Sequence, residues 1–214
     1  MVKGNETICF KNKPKILATG SIVGKNEGEG PLAEYFDKCI TDGRYGEKTW
    51  EQAESKFHNT ALGFALGKAN LGMGDLQCIL SGDLLNQCVA SSFAWRDMGV
   101  PFLGLYGACS TFAEGMALAA VLVDSGSYDN AAVSVSSHFC TAERQYRNPL
   151  AYGGQRPPTA QRTVTGAGSA IIAKGNEEHP KVLCATLGSV VDSGISDANN
   201  MGAAMAPVSV KLTP

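Results

Sequence analysis

No excess of either charge marks the chain, since 18 Lys and Arg against 20 Asp and Glu leave a formal net charge of −2 across 214 residues. A near-neutral surface gives no general attraction for nucleic acid or for an anionic membrane, so a polyanionic partner would need a local basic patch. No long apolar run is present either. The longest, Met116 to Val123, is far short of the roughly 20 residues that span a bilayer. No secretory signal opens the chain, which is therefore expected to be soluble by itself. Seven cysteines (Cys9, Cys39, Cys78, Cys88, Cys109, Cys140 and Cys184) contain no CxxC pair. Their odd number and scatter point away from a disulfide framework or a thiolate zinc site and toward a reducing compartment. Internal repeats, low-complexity tracts and collagen-like periodicity are also lacking.

What remains is a glycine-rich α/β pattern of one-domain size, with 44% hydrophobic residues and 25 glycines placed mostly at element ends. Lys15 to Gly24 reads as a buried strand. Pro31 followed by Leu32, Phe36 and Ile40 predicts a helix that Gly43 ends. Thr49 and Gln52 form a capping box for a long helix carrying Ala53, Phe57, Ala61, Phe64 and Ala65 on one face, closed by Gly72 and Gly74. His58, beside that stripe, reads as a surface or packed histidine. Cys78 to Leu85 predicts a second buried strand, and Val89, Phe93 and Trp95 mark a short helix. Ala131 to Ser137 is a further strand. Val164 to Lys174 and Lys181 to Val191 read as a hairpin at a sheet edge, with His179 exposed in its turn and GAGSA serving close sheet packing rather than phosphate binding. The small residues of the tail from Asp192 onward suit either a pocket lining or a connection. The alternation of strands and helices argues for a mostly parallel sheet with helices on both faces.

The chain is organised around Phe102 to Asp124, where an apolar run read as a buried central strand turns at Gly107 into a buried helix. Cys109 sits at that turn, flanked by small residues, facing the amide-rich positive end of the following helix. That is a common setting for a nucleophile, although a cysteine by type alone is more often core. His138 follows the end of a buried strand, where open α/β sheets place ligands. A long polar loop is then expected from Phe139 to Thr163. It carries Arg144, Arg147, Arg156 and Arg162 with Tyr146 and Tyr152 between them. Such a loop is a solvated face or a set of guanidinium donors for a carboxylate ligand.

The stretches YGACSTFAEGMALAA, SSHFCTAERQYRNPLAYGGQRPPTAQRTVTGAG and DSGISDANNMGAAMAP resemble the stage V sporulation protein AD family of the thiolase superfamily, which includes the ketoacyl-ACP synthases. The likeness runs along essentially the whole chain. It implies an α/β thiolase-like fold in which residues 1–214 make a single amino-terminal half of the usual two-half α-β-α-β-α architecture. With no second half in the sequence, one face is expected to be an exposed apolar surface. The resemblance further implies a protein of the spore SpoVA complex, peripheral at the spore inner membrane beside other SpoVA membrane subunits. It would bind dipicolinic acid (pyridine-2,6-dicarboxylate), with calcium as a candidate companion, for uptake during sporulation and release at germination.

The ligand-binding set implied is Cys109, His138, Arg144, Tyr146, Arg147, Arg156 and Arg162, with no cofactor, no metal and no nucleic acid. For the full-length protein, a homodimer is implied through the strand and helix around Cys109. That residue matches the acyl-accepting nucleophile of thiolases, so the alternative is a ketoacyl synthase-like acyltransferase. A binding protein is the preferred reading, because no glycine-flanked catalytic histidine follows Cys109 and His138 stands elsewhere in the family pattern.

Overall fold

The computed structural model describes residues 2–3, 6–146, 162–197 and 200–211. It opens with strands β1 (Val2–Lys3), β2 (Thr7–Cys9) and β3 (Lys15–Val23), one turn of helix α1 (Lys25–Gly28) and strand β4 (Lys38–Cys39). Helix α2 (Trp50–Ala69), strand β5 (Ile79–Gly82), helix α3 (Val89–Trp95), strand β6 (Phe102–Gly104) and helix α4 (Thr111–Asp124) follow. Strand β7 (Asn130–Ser137), helix α5 (Phe139–Tyr146), strands β8 (Gly166–Ala173) and β9 (Cys184–Thr186) and helix α6 (Met201–Lys211) complete the order. Six strands make the main sheet in the order β4-β3-β8-β7-β5-β6, while β1, β2 and β9 form a small separate sheet. In the main sheet only β8 runs antiparallel to its neighbours, which is the mostly parallel arrangement the alternation predicts.

Period-two alternation sorts the core onto two faces. Ile79, Ala132 and Ile171 pack under α2 and α3 with Leu62, Leu66 and Trp95. Their chain neighbours Leu80, Ala131, Val133 and Ile172 pack under α4 with Ala119 and Val123. Because both faces are covered, the central strand β8 is buried along nearly its whole length and reads as a continuous apolar run.

Helix α2 starts where the sequence predicts. Thr49 Oγ1 accepts the Gln52 amide and Gln52 Oε1 accepts the Thr49 amide, both at 3.2 Å, which satisfies two of the donors a helix start leaves open. Asn70, in the left-handed conformation, ends it. The helix lies so close to β3 that a Cβ on Gly20 would stand 2.1 Å from the Ala61 carbonyl oxygen and 2.7 Å from the Ala65 nitrogen.

Four expectations are corrected. The helix read from Pro31 to Gly43 is a short 3₁₀ turn, Ala33–Tyr35, followed by β4. Pairing with the edge of β3 holds this segment extended, through Ser21 N–H to Asp37 Oδ2 (2.9 Å) and Ile40 N–H to Val23 O (2.9 Å). The run at Phe102, read as a buried central strand, is the edge strand β6, and Leu103 is 47% exposed. The edge hairpin does not form. Strand β8 inserts between β3 and β7, while the returning chain bonds the amino-terminal segment instead, with Val182 N–H on Pro14 O at 2.8 Å. Finally, the loop expected from Phe139 begins as helix α5, and residues 147–161 lie outside the described residues.

Candidate functional site

The sharpest local feature joins β6 to α4. Ala108 adopts φ 48°, a left-handed conformation that costs a non-glycine residue about 1–2 kcal/mol. Thr111 fixes it: Oγ1 accepts the Gly107 amide at 3.1 Å and donates to Ala108 O at 2.8 Å. Ser110 Oγ donates to Gly107 O at 2.8 Å, so no side chain caps α4 from that position. The strained elbow presents Cys109 exposed at the amino end of a 14-residue helix. Its passage over β5 requires Gly82, whose Cβ would lie 2.1 Å from Leu105 O.

Cys109 opens onto a cleft of about 490 Å³. The floor is the sheet edge where β3 and β7 end and β8, running the other way, begins: Val23, Ser136, Ser137 and Gly166 contribute to it. Phe112 and Arg162 stand on its walls. Carboxyl ends of parallel strands are where α/β sheets receive ligands, and a pocket this size, largely apolar with a few polar groups, suits one small aromatic molecule. The Arg162 guanidinium lies 5.6 Å from the Phe139 ring centroid. Asp83 also lines the cleft. Its carboxylate accepts from Ser91 N–H and Ser91 Oγ, both at 2.7 Å, and from Leu85 N–H at 2.9 Å.

Behind the cleft, α2 brings two polar side chains against the serines of β7. Ser136 Oγ and Thr141 Oγ1 donate to the two carboxyl oxygens of Glu54 at 2.9 and 3.0 Å. Burial, and then the nearby Asp83 charge, push the Glu54 carboxyl up to about 7, although these two hydroxyls pull the other way. One turn on, His58 Nδ1 contacts Ser134 Oγ at 2.8 Å, and Ser169 Oγ donates to that same oxygen at 2.8 Å. Complete burial pushes this imidazole down to about 3, so it stays neutral.

Of the residues the sequence suggests, the structure brings Cys109 and Arg162 together on the cleft. His138 is elsewhere. It is buried and stacks on Phe57 at 6.0 Å with an interplanar angle of 6°, and it stands 6.3 Å from Trp50. Its Nδ1 accepts the Cys140 amide at 3.1 Å, so Nε2 donates to Gly43 O at 2.8 Å. Burial lowers its pKa, with the Gly43 bond acting against that shift. Arg144 projects from α5 and pairs with Glu51. Tyr146 ends α5, and Arg147 and Arg156 lie outside the described residues. The sequence reading passed over Asp83 and Glu54. The available signals were an acid at the end of a buried strand, in SGDLL, and a charge placed between Ala53 and Phe57 on an apolar helix face.

Comparison with known proteins now identifies the family. A curated relative, Stage V sporulation protein AD of Bacillus subtilis (strain 168), is 42% identical over 204 residues, covering 95% of this chain and 60% of the relative. The chain thus spans about three fifths of that relative's length. Among solved structures, a cerulenin-bound Xanthomonas campestris OleA superposes with TM-score 0.63 at 17% identity, over 95% of this chain and 70% of OleA. The 3-oxoacyl-[acyl-carrier-protein] synthase III of Aquifex aeolicus VF5 gives 0.50 at 18% identity, over 77% and 55%. These structural matches establish a thiolase-like fold. The family model for Stage V sporulation protein AD (SpoVAD) matches residues 4–213, and with the 42% identity this shows that the chain belongs to the SpoVAD family of sporulation proteins.

Proposed function

We propose that this chain binds dipicolinic acid in the cleft beside Cys109, as part of the SpoVA system that takes the ligand up during sporulation and releases it at germination. One observation carries the reading: an open, largely apolar cleft with the Arg162 guanidinium on its wall and the amino end of α4 beside it. A planar aromatic dianion asks for these features, because apolar walls accept the ring while a guanidinium and helix amides meet the carboxylates. Asp83 would repel such a ligand, but its oxygens are turned to Ser91 and Leu85.

Calorimetric titration with dipicolinate, with and without calcium, tests this. Saturable binding that weakens at least tenfold in Arg162→Ala and is unchanged in Arg144→Ala is the expected result. Unchanged affinity in a folded Arg162→Ala variant would refute the assignment.

The same reading has the chain act peripherally at the spore inner membrane, beside the membrane subunits of the SpoVA complex. Among the described residues no helix is long and apolar enough to cross a membrane. A homodimer through β6 and α4 belongs to it as well, supported by the outer edge of β6, which pairs with no further strand among the described residues, and by exposed Leu103, Tyr106 and Phe112. We take the described residues as one thiolase-like half-domain, whose exposed Leu118 on α4 suits cover by a second half.

One observation favours a second reading, acyl transfer. Cys109 is exposed on a strained elbow at a helix start, the setting of a nucleophile. Against it, neither His58 nor His138 lines the cleft to serve as base. Incubation with acyl-CoA followed by intact mass measurement decides, since this reading requires an adduct that Cys109→Ala abolishes.

A further inference from the structure

We propose that Cys9 and Cys184 form a thiol pair that oxidises to a disulfide, clasping β9 to β2. The two cysteines are register partners in the antiparallel small sheet. The adjacent pair Phe10 and Leu183 is hydrogen-bonded, with Phe10 N–H donating to Leu183 O at 3.0 Å, and so is the pair three positions along in the other direction, where Leu187 N–H donates to Glu6 O at 2.8 Å. Alternation along the ladder makes Cys9 and Cys184 a non-hydrogen-bonded pair, the kind in which directly opposed Cα atoms stand about 4.5 Å apart with side chains converging. That separation lies within the range of about 4.4–6.8 Å that a disulfide bridges. The pair two residues along the same face, Thr7 and Thr186, shows the convergence, with hydroxyl oxygens 3.0 Å apart.

Access sets the order of events. Cys184 is exposed and Cys9 half-buried, and both are thiols in this structure. The oxidant is a low-molecular-weight disulfide. The Cys184 thiol releases its proton to water and, as thiolate, attacks one sulfur of that disulfide, giving a mixed disulfide and expelling one small thiolate. The Cys9 thiolate then attacks Cys184 Sγ, forming the Cys9–Cys184 bond and expelling the second small thiolate. Two protein thiols lose two electrons and two protons, and one small disulfide becomes two thiols. The product covalently joins the amino-terminal segment to the strand that precedes residues 187–211, whereas the thiol form leaves that junction to a three-residue ladder that opens at little cost.

The test uses the whole chain under native conditions with oxidised glutathione, followed by acid quenching, intact mass and non-reducing peptide mapping. The expected product shows the Cys9 and Cys184 peptides linked with the loss of two hydrogens, irrespective of glutathione carried by the exposed Cys39 and Cys109, melts at a higher temperature than the untreated chain, and reverts with dithiothreitol. Cys9→Ser should instead retain one glutathione on Cys184. A register control moves the thiol by one residue: in Cys184→Ser/Ala185→Cys the new side chain points to the opposite face, and linkage to Cys9 should fall at least tenfold. Glutathione accumulating on Cys184 of the unaltered chain with no link to Cys9, or equal linkage from position 185, would overturn the proposal.

Discussion

Replacing Glu54 by Gln should change how the stability of the chain depends on pH. The carboxyl is fully buried, receives hydrogen bonds from Ser136 and Thr141, and titrates near 7 rather than at its ordinary 4.5. Between those two values the folded chain holds a proton that the unfolded chain has released, so stability falls as pH rises through this window and the full cost is present above about 7. At ~1.36 kcal/mol per pKa unit, the cost grows by roughly 2–3 kcal/mol from pH 5 to pH 8. His58 acts in the opposite sense. Its imidazole is held neutral down to about 3 instead of 6.5, so unfolding takes up a proton below 6.5 and stability falls as pH drops. Both proteins carry His58, and subtracting one profile from the other removes its contribution. An amide can keep both hydroxyl contacts, as acceptor to one and donor to the other. Urea denaturation of both proteins at pH 5, 6, 7 and 8 should therefore show Glu54→Gln gaining roughly 2–3 kcal/mol on the wild type across the range. Parallel profiles would mean that the folded carboxyl titrates normally, and the burial argument would be wrong.

Two further substitutions probe packing and the position of the site. Gly20→Ala drives a methyl against the backbone of α2, where neither Ala61 O nor Ala65 N can rotate away. It should lower stability by about 1–3 kcal/mol, read as a reduced urea midpoint at unchanged slope, and an unchanged midpoint would contradict the contact between α2 and β3. Arg144→Ala removes an ion pair with Glu51 whose guanidinium side is largely exposed, so stability should change by less than about 1 kcal/mol. A large loss of dipicolinate affinity in that variant would move the site from the cleft toward α5.

Sequence reading worked best where the signal was local. The Thr49–Gln52 box and the apolar spacing after it placed α2 to within a few residues, because both the cap and the helix face depend on neighbours three and four positions away. Strand positions were less legible. The runs at Phe102 and at Val164 have similar apolar character, yet β6 lies at an edge and β8 in the middle of the sheet. Nothing local separates them, since the order of strands is decided by which pairings close over the largest buried surface. Segment 31–43 failed for a related reason. Its helical spacing competes with an exposed β3 edge, and the Asp37 and Ile40 contacts to that edge prevail.

The site divides along the same line. Cys109 was legible because a strand, a glycine turn and a helix start are consecutive in the chain. Glu54 was not, because what makes it unusual is a hydroxyl 82 residues away and another 87 residues away, together with Asp83 arriving from the end of β5. Ser136 ties the two parts together, for it lines the cleft and donates to Glu54 from one side chain. A ligand that competed for the Ser136 hydroxyl would leave the Glu54 carboxyl with one hydrogen bond fewer, which favours the protonated form further. Anion binding in the cleft and proton uptake at Glu54 are thereby coupled, and dipicolinate affinity should fall as pH rises through 7 by more in the wild type than in Glu54→Gln. Ser136→Ala should weaken this coupling to what the ligand's own negative charge exerts on Glu54.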